Sequence, residues 1–375
     1  MKTFLRLILC LFLTIGFISS AEGQKVKTID EIKIIQNSKT PKPPRGVPSK
    51  VHFELECIVG ESDDPDKSFA EVSSFVVDDN GTIYAVDFKD RKIKVFDDAG
   101  QFVRTVGKQG QGPGELDMPA GIHLLPSNEL IIEDAIARKL VYFTQEGTYI
   151  KDVSMAGRLA LINLLLGPRG SFLGRELKLE GQKMFFEIKK LDPELKSLFS
   201  LDQIEFAIPV PGSGNKINLM DMLSVYQFDS SGNIYYGRNI DYEIKVYTSD
   251  GKHMKSIQKE YVAQKISEED VEDILERIPN IGTIDVREMF EFPETFPPFQ
   301  FFTLDEDGRI FVRTWQKGKN KNEFIFDVFD SEGRYIAQFP SKIDIRVWKK
   351  GKAYSYEETE EGFNIIKRYK VRWEH

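Results

Sequence analysis

The sequence predicts an all-β protein folded as a six-bladed β-propeller, with four antiparallel strands in each blade. Three segments of thirty residues, beginning at Ser74, Gly121 and Val225, repeat one pattern, and the first two are offset by 47 residues. Turn glycines and core aromatic residues fall in register across the three copies: Gly100, Gly147 and Gly251, and Phe96, Phe143 and Tyr247. A period of about 20–50 residues indicates stacked repeat units rather than a single globule.

Each copy contains the signals of four short strands. In the first copy, apolar runs at 75–77, 83–86 and 93–96 are separated by polar segments, and a fourth strand begins at Phe102. The turns carry Asp, Asn and Gly because tight turns require a positive φ or side-chain hydrogen bonds to the backbone. Four short antiparallel strands form one propeller blade.

Three weaker copies bring the number of blades to six. A loose copy spans 304–333, a degenerate copy spans 167–198, and a last, incomplete copy spans 347–369. Residues 51–57 alternate apolar and polar side chains, as a half-buried strand does. We therefore expect this strand to join the last blade and close the ring, which leaves few exposed strand edges. The propeller is predicted to span 51–375.

The first residues have the pattern of a signal peptide, predicted to span 1–23. Lys2 and Arg6 precede an apolar run at 7–17, which is far shorter than the roughly 20 residues that span a bilayer. Cys10 lies inside that run without the small preceding residue of a lipid-attachment site. We expect export as a soluble protein, to the periplasm or outside the cell, with no membrane span in the mature chain.

The composition of the mature chain excludes several classes of partner. Cleavage after Ala21 or Gly23 is expected, and cleavage after Gly23 leaves 49 basic and 58 acidic side chains, a net charge of −9. An acidic chain is a poor candidate for nucleic-acid binding, which needs a basic surface.

Cys57 is the one cysteine of the predicted mature chain, so it has no intrachain disulfide partner. We predict that it is buried and packs as a small hydrophobic residue. A monomer is expected.

Two segments depart from the repeat. Residues 24–50 form an N-terminal extension with a proline-rich linker, and its isoleucines could form a short strand or lie along the surface. Residues 262–299 form an insertion with a helix from Ser267, its predicted N-cap, to about Arg277. The phenylalanines at the end of the insertion could form a partner-binding patch or attach it to its blade: Phe290, Phe292, Phe296, Phe299, Phe301 and Phe302.

The connection after the first copy carries a family resemblance. Residues 106–119 read VGKQGQGPGELDMP. Together with 83–87 and 95–100, this stretch resembles the NHL-repeat family, and more narrowly the exported bacterial six-bladed propellers. The resemblance implies a TolB-like propeller, but the fold hosts lyases, lactonases, receptors and scaffolds. The glycines do not follow a strand and open a helix as a dinucleotide-binding motif must, so we interpret them as an inter-blade connection.

Some propellers with similar repeats are enzymes, and the resemblance implies that such enzymes hold a metal ion in the central channel. Amidating lyases hold zinc through histidines, and His123 is the one histidine here that the pattern places on an innermost strand; one histidine does not make a zinc site. Gluconolactonase-like propellers hold a hard cation through oxygen ligands, for which Asn163 is the nearest match. Calcium in the channel remains an open but unsupported alternative, and otherwise no cofactor is predicted. No Gly-x-Ser-x-Gly elbow is present.

Arginine residues are the remaining candidates. Propeller geometry places the loops after the second and fourth strands on one face, here called the long-loop face, and sites on repeat scaffolds usually lie among long loops. Four arginines lie near the loop after the second strand of their blades: Arg91, Arg138, Arg238 and Arg313. They could ring the channel mouth and bind an anionic small molecule, a glycan or an acidic protein segment. Alternatively, they form blade-to-blade ion pairs with acidic neighbours: Asp87, Asp90, Glu133 and Asp241.

The sequence therefore favours a non-catalytic exported propeller that binds a ligand or protein through its long-loop face. The alternative is a divalent-cation-dependent hydrolase or lyase, similar to a lactonase, acting at the central channel. The candidate binding residues are Arg91, Arg138, Arg238, Arg313, His123 and Asn163, and no catalytic or metal-binding residue is assigned.

Overall fold

A computed structural model describes residues 19–21, 24–181, 183–206, 216–238, 240–276, 278 and 289–375. Most of the predicted signal peptide lies outside these residues. Its last part, Ser19–Ala21, is a strand paired with the strand that follows it. In the part of the chain that is described, no helix is long and apolar enough to cross a membrane.

Six sheets follow one another along the chain, one for each blade, and this confirms the predicted fold. In blades 1 to 3, the strands from first to fourth are Val72–Val77, Ile83–Asp87, Lys92–Phe96 and Phe102–Val106; Pro119–Leu124, Glu129–Asp134, Lys139–Thr144 and Tyr149–Ser154; Ala160–Leu166, Phe172–Glu180, Lys183–Leu191 and Ser197–Phe206. In blades 4 to 6, they are Val225–Phe228, Ile234–Gly237, Glu243–Tyr247 and His253–Lys259; Phe299–Leu304, Ile310–Lys317, Phe324–Phe329 and Tyr335–Ser341; Ile345–Lys349, Lys352–Glu358, Asn364–Glu374 and, from the N-terminal part of the chain, Lys50–Val59.

The ring closes as the sequence predicts. Lys50–Val59 pairs antiparallel with Asn364–Glu374 and becomes the outermost strand of blade 6. This pairing joins the two ends of the propeller through backbone hydrogen bonds and covers a strand edge that would otherwise be free. Cys57 lies on this strand and is half-buried, and burial raises the pKa of its thiol.

The N-terminal extension forms strands, so the first of its two alternatives is correct. Gln24–Ile29 and Ile32–Asn37 make a hairpin that adds to the outer edge of blade 4, parallel to its fourth strand. Together with Ser19–Ala21, which pairs with Gln24–Ile29, this hairpin makes blade 4 a seven-stranded sheet instead of the four-stranded one predicted. Asn37 also donates to the Gly333 carbonyl and accepts from the Tyr335 backbone N–H, which ties the hairpin to blade 5. Residues 38–49, which include the prolines, contain no strand.

The turn residues act as the repeat pattern predicts. In the first blade, Asp78 Oδ1 accepts the backbone N–H of Asn80 and of Thr82, each at 2.8 Å. Gly81 has a φ of +86°, a conformation that side chains with a Cβ rarely adopt. Aspartates begin equivalent turns elsewhere: Asp97 in the same blade, Asp229 in blade 4, and Asp305 and Asp330 in blade 5.

The glycine-rich connection is structural, as interpreted from the sequence. Its short strands Lys108–Gln109 and Glu115–Leu116 pair in parallel. The loop places Leu116, which is fully buried, in the core between blades 1 and 2. Burying a leucine side chain stabilises a fold by about 1.5–3 kcal/mol, so this connection contributes to blade packing.

The insertion carries one helix, α1, at Glu268–Glu276. Ser267 caps it as predicted: the Ser267 hydroxyl accepts the backbone N–H of Asp270, and the Asp270 carboxylate accepts the Ser267 backbone N–H. The described part of the helix runs to Glu276, and Arg277, at the predicted end, lies outside the described residues. Three of the six phenylalanines are buried, as attachment to the blade requires: Phe296, Phe299 and Phe302. Other short elements are the pair Ile217–Asn218 and Phe290–Glu291 and the 3₁₀ helices Pro168–Gly170 and Leu219–Met222.

Candidate functional site

A cavity of about 510 Å³ opens where the innermost strands of blades 1, 2 and 3 face the propeller axis. We call it the channel cavity. Its wall includes Ser73 and Ser74 from blade 1, Gly121 and His123 from blade 2, and Asn163 from blade 3. Its volume falls in the range of about 300–1,000 Å³ that is typical of small-molecule sites.

A histidine and a carboxylate form the polar centre of the channel cavity. His123 Nε2 lies 2.7 Å from Glu133 Oε1, and both side chains are largely buried. An ionised carboxylate accepts hydrogen bonds and cannot donate them, so Nε2 carries the proton in this pair. Glu133 lies on the second strand of the blade, opposite Gly121 on the first. A Cβ at Gly121 would lie 2.5 Å from Glu133 Oε1, so glycine here leaves room for the Glu133 side chain.

Arg138 lines the same cavity from the loop after the second strand of blade 2. Its φ is +51°, and its backbone carbonyl accepts the Met155 N–H at 2.7 Å, which fixes the loop. Its side chain is exposed and makes no hydrogen bond or ion pair within the described ranges. A guanidinium held at a cavity wall with all its donors available is suited to bind an anion.

Asn163 reaches the cavity through an irregularity in the first strand of blade 3. The strand pairing shifts between Ile162 and Leu165, and Asn163 has a φ of +53°. The Tyr226 hydroxyl donates to the Asn163 carbonyl at 2.6 Å and fixes this bend. Burial raises the pKa of Tyr226 well above its usual value, so the hydroxyl stays a donor.

The rest of the channel cavity is apolar. Met155, Leu161 and Leu164 are buried in its wall, whereas Leu159 is 60% exposed and Ile162 is 38% exposed. Ile136, in the same loop as Arg138, is 58% exposed. Exposed apolar side chains beside a pocket are typical of a surface that another molecule covers.

The other three arginines lie outside the channel cavity, each beside a carboxylate of a neighbouring blade or connection. Arg91 Nη1 lies 3.3 Å from Asp117, and Arg238 Nη1 lies 3.6 Å from Asp202. Arg313 Nη1 lies 3.3 Å from Asp344, and its guanidinium also packs over the ring of Phe324. These are blade-to-blade contacts, although their carboxylates are not the ones predicted from the sequence. The structure thus brings together His123, Asn163 and Arg138, and places the remaining candidates elsewhere.

Glu133 is the site residue that sequence reasoning placed differently. One of the two alternatives from the sequence paired it with an arginine, and the sequence named no channel carboxylate. The available signal was positional: Glu133 on the second strand faces a glycine on the first, which lets a long side chain cross towards the axis.

The donor set of the channel cavity does not fit a zinc site. Its imidazole is hydrogen-bonded through Nε2 to its carboxylate. Over the described ranges, no three His, Cys, Asp or Glu residues are grouped as a metal site requires.

Comparison with known proteins identifies the scaffold. A model of the family DUF5128, described as a 6-bladed beta-propeller, matches residues 66–291. No curated protein sequence matches the chain.

Solved structures show the same fold at low sequence identity. One is a protein from Bacteroides fragilis NCTC 9343 that is described as exported. It is 12% identical, with a TM-score of 0.57, over 91% of this chain and 100% of that one. A member of the duf4221 family from Bacteroides vulgatus is 14% identical, with a TM-score of 0.51, over 87% and 100% of the two chains. Virginiamycin B lyase from Staphylococcus aureus is 12% identical over 85% and 98%, and its TM-score of 0.42 is too low to support an argument. The resemblance to NHL-repeat and TolB-like proteins stays a prediction.

Proposed function

The protein belongs to the DUF5128 family of 6-bladed beta-propellers, and we propose that it is an exported, non-catalytic binding protein whose ligand occupies the channel cavity. The ligand class is a small molecule with one anionic group and an apolar body. The observation that supports this proposal is the position of the Arg138 side chain, which lies exposed beside an apolar wall in a cavity of about 510 Å³.

The charges of the cavity favour a ligand with one negative group. Arg138 offers several donors in a fixed plane, which suit a carboxylate or a sulfate. Glu133 lies in the same cavity and is bonded to His123. A second anionic group near Glu133 would meet a like charge in a partly desolvated site, which is unfavourable. The anion is therefore expected at the Arg138 side.

The apolar residues account for the rest of the ligand. Leu159 and Ile162 are exposed beside the cavity, and Met155 forms part of its inner wall. Covering about 100 Å² of such surface contributes on the order of 2.5 kcal/mol. An amphiphilic ligand would use this surface and the arginine together, whereas a purely polar anion would use the arginine alone.

One observation favours the alternative, a cation-dependent hydrolase or lyase. The His123–Glu133 pair, at 2.7 Å, lies at the channel where propeller enzymes carry out chemistry. A paired histidine and carboxylate can act as a general base if a substrate lies within hydrogen-bond distance. Calcium would need oxygen ligands, and the candidates in this cavity are Glu133 and Asn163.

The binding experiment uses the fluorescent probe 1-anilinonaphthalene-8-sulfonate, an aromatic sulfonate, with dodecanoate as competitor. Arg138→Ala should weaken probe binding by about tenfold, because a charge-assisted hydrogen bond contributes about 1.5–3 kcal/mol. Arg91→Ala is the matched control: its guanidinium lies beside Asp117 outside the cavity, and binding should be unchanged.

Equal affinity of wild type and Arg138→Ala would contradict the binding proposal. The enzymatic alternative is tested separately with glucono-δ-lactone and added calcium. Turnover that disappears in Glu133→Gln while the protein remains folded would favour the enzyme, since this variant removes the carboxylate charge and keeps the side-chain size.

A further inference from the structure

A second cavity, of about 220 Å³, lies between blades 4 and 5 and away from the channel. We call it the insertion cavity. Val262 and Gln264, from the start of the insertion, and Pro297 and Pro298, from its end, form part of its wall. Described residues from both ends of the insertion therefore form part of the wall of this cavity.

The two ends of the insertion are held together over the cavity. The Phe296 N–H donates to the Gln264 carbonyl at 2.8 Å, and the Ile266 N–H donates to the Glu294 carbonyl at 3.0 Å. Helix α1 is fixed to blade 5 by an ion pair of 2.6 Å between Asp270 and Lys317. Backbone hydrogen bonds and one ion pair thus hold the described ends of the insertion and helix α1 in place.

Asp327 forms the polar floor of the insertion cavity and is fully buried. It accepts the Tyr242 hydroxyl at 2.6 Å, the Tyr335 hydroxyl at 2.5 Å and the Gln338 amide at 3.0 Å. The Lys259 ammonium lies 3.1 Å from the same carboxylate. Burial and the neighbouring carboxylate raise the pKa of both tyrosines, so their hydroxyls remain donors. Four donors therefore already occupy the carboxylate oxygens of Asp327.

Two side chains of this cavity, Lys259 and Trp315, have N–H donors without an acceptor among the described residues. The Lys259 side chain is 6% exposed, and its described contacts are Asp327 and the rings of Tyr242 and Tyr335. An ammonium has three N–H donors, so two remain without an acceptor among the described residues. Trp315 Nε1 is also buried without a hydrogen-bond partner there. Buried donors that lack partners are rare in native proteins, and such a group indicates a bound water, ion or ligand.

The charges and shape of the cavity select the class of ligand. Lys259 and Asp327 balance one another, and so do Lys39 and Glu260 in the same wall. A carboxylate ligand would lie close to the buried Asp327 and be repelled. Trp315 stacks on Phe296, with ring centroids 4.3 Å apart and 7° between the planes, and continues into the two prolines as an apolar wall.

We propose that the insertion cavity binds a neutral monosaccharide-sized carbohydrate. Its hydroxyl or ring oxygens accept hydrogen bonds from Lys259 Nζ and, through a small shift of the indole that exposes its buried N–H, from Trp315 Nε1. Its C–H face packs on the wall that Trp315 and Pro297 form. A sugar ring offers both an acceptor-rich edge and an apolar face. This site is separate from the channel cavity and does not depend on the function proposed there.

The test is saturation-transfer NMR with glucose, galactose, mannose, xylose and N-acetylglucosamine, each at about 50 mM, where a dissociation constant in the millimolar range is detected. At least one of these sugars is expected to bind the full chain. Trp315→Phe keeps an aromatic ring beside Phe296 and removes the N–H, so it should weaken that binding by about tenfold. Glucuronate should bind more weakly than the neutral sugars.

The matched control is Trp348→Phe. Trp348 Nε1 already donates to Thr303 Oγ1 at 2.9 Å and lies in another part of the fold, so this variant should lose stability and keep sugar binding. Trp315→Phe should keep or gain stability in the free protein, because it removes an unpaired donor. Absence of binding by all five sugars, unchanged affinity in Trp315→Phe, or tighter binding of glucuronate would each overturn the proposal.

Discussion

Lys94 in blade 1 and Lys259 in blade 4 are both buried beside a fully buried aspartate, yet their surroundings differ. Lys94 Nζ lies 2.9 Å from Asp87 and 2.8 Å from Asp90. It also donates to the carbonyls of Pro65 and Ser68, at 2.8 and 2.6 Å. Lys259 Nζ has one carboxylate, Asp327, and lines a cavity.

The difference separates a structural lysine from a candidate binding lysine. All the donors of Lys94 are used, and they hold the loop before the first strand of blade 1. Lys259 has donors without acceptors beside a space that could hold a ligand. Burial and an ion pair alone, which the two lysines share, do not distinguish these roles; the number of partners does.

The largest effect is expected from Lys94→Met. The change removes two ion pairs, with Asp87 and Asp90, and leaves the Pro65 and Ser68 carbonyls without their donor, so the free energy of unfolding should fall by about 3–5 kcal/mol. Urea denaturation of the full chain measures it. A loss below about 1 kcal/mol would mean that this pair is not the structural element proposed here.

Lys259→Met should cost less, about 1–3 kcal/mol. Asp327 keeps three neutral donors, and methionine fills the same wall without leaving a backbone carbonyl unpaired. The comparison with Lys94→Met under the same urea conditions is the measurement. Equal losses in the two variants would remove the distinction between them.

The smallest effect concerns pH. Burial raises the pKa of Asp90, but hydrogen bonds from Lys94 and Lys92 outweigh it, and the net pKa is lowered. A lowered folded-state pKa gives stability that is complete above the unfolded value of about 3.9 and is lost as the pH falls through the folded value. Asp90→Asn should therefore have a flatter loss of stability below about pH 4 than the wild type. Parallel curves from urea denaturation across this range would contradict the assignment.

The fold was predictable because its signals are local. The turn aspartates and glycines, such as Asp78 and Gly81, specify where each strand ends, and the alternation in each strand specifies its buried face. Ring closure by the strand that begins at Lys50 followed from an incomplete last copy. The N-terminal hairpin was one of two alternatives, since the chain had no local signal that it would pair with the strand at His253–Lys259.

The channel site was predicted in part. Arg138, His123 and Asn163 were named from their repeat positions, and the structure brings these three to one cavity. Arg91, Arg238 and Arg313 have the same sequence context as Arg138, but each lies beside a carboxylate of another blade or connection, and such pairing depends on which blades adjoin. The alternative that paired Glu133 with an arginine was wrong for the same reason, since its partner is His123 on the neighbouring strand.

The repeat pattern by itself determined the blades, their turns and the closure of the ring, because each depends on residues close together in the sequence or on the pairing of two recognisable strands. The tertiary structure decided which arginine has no ion-pair partner among the described residues and that Glu133 pairs with His123. It also placed the ends of the insertion beside a cavity lined by Lys259 and Trp315. Those outcomes depend on contacts between residues tens of positions apart, and charge, hydrogen bonding and space in such contacts are not encoded in any one repeat.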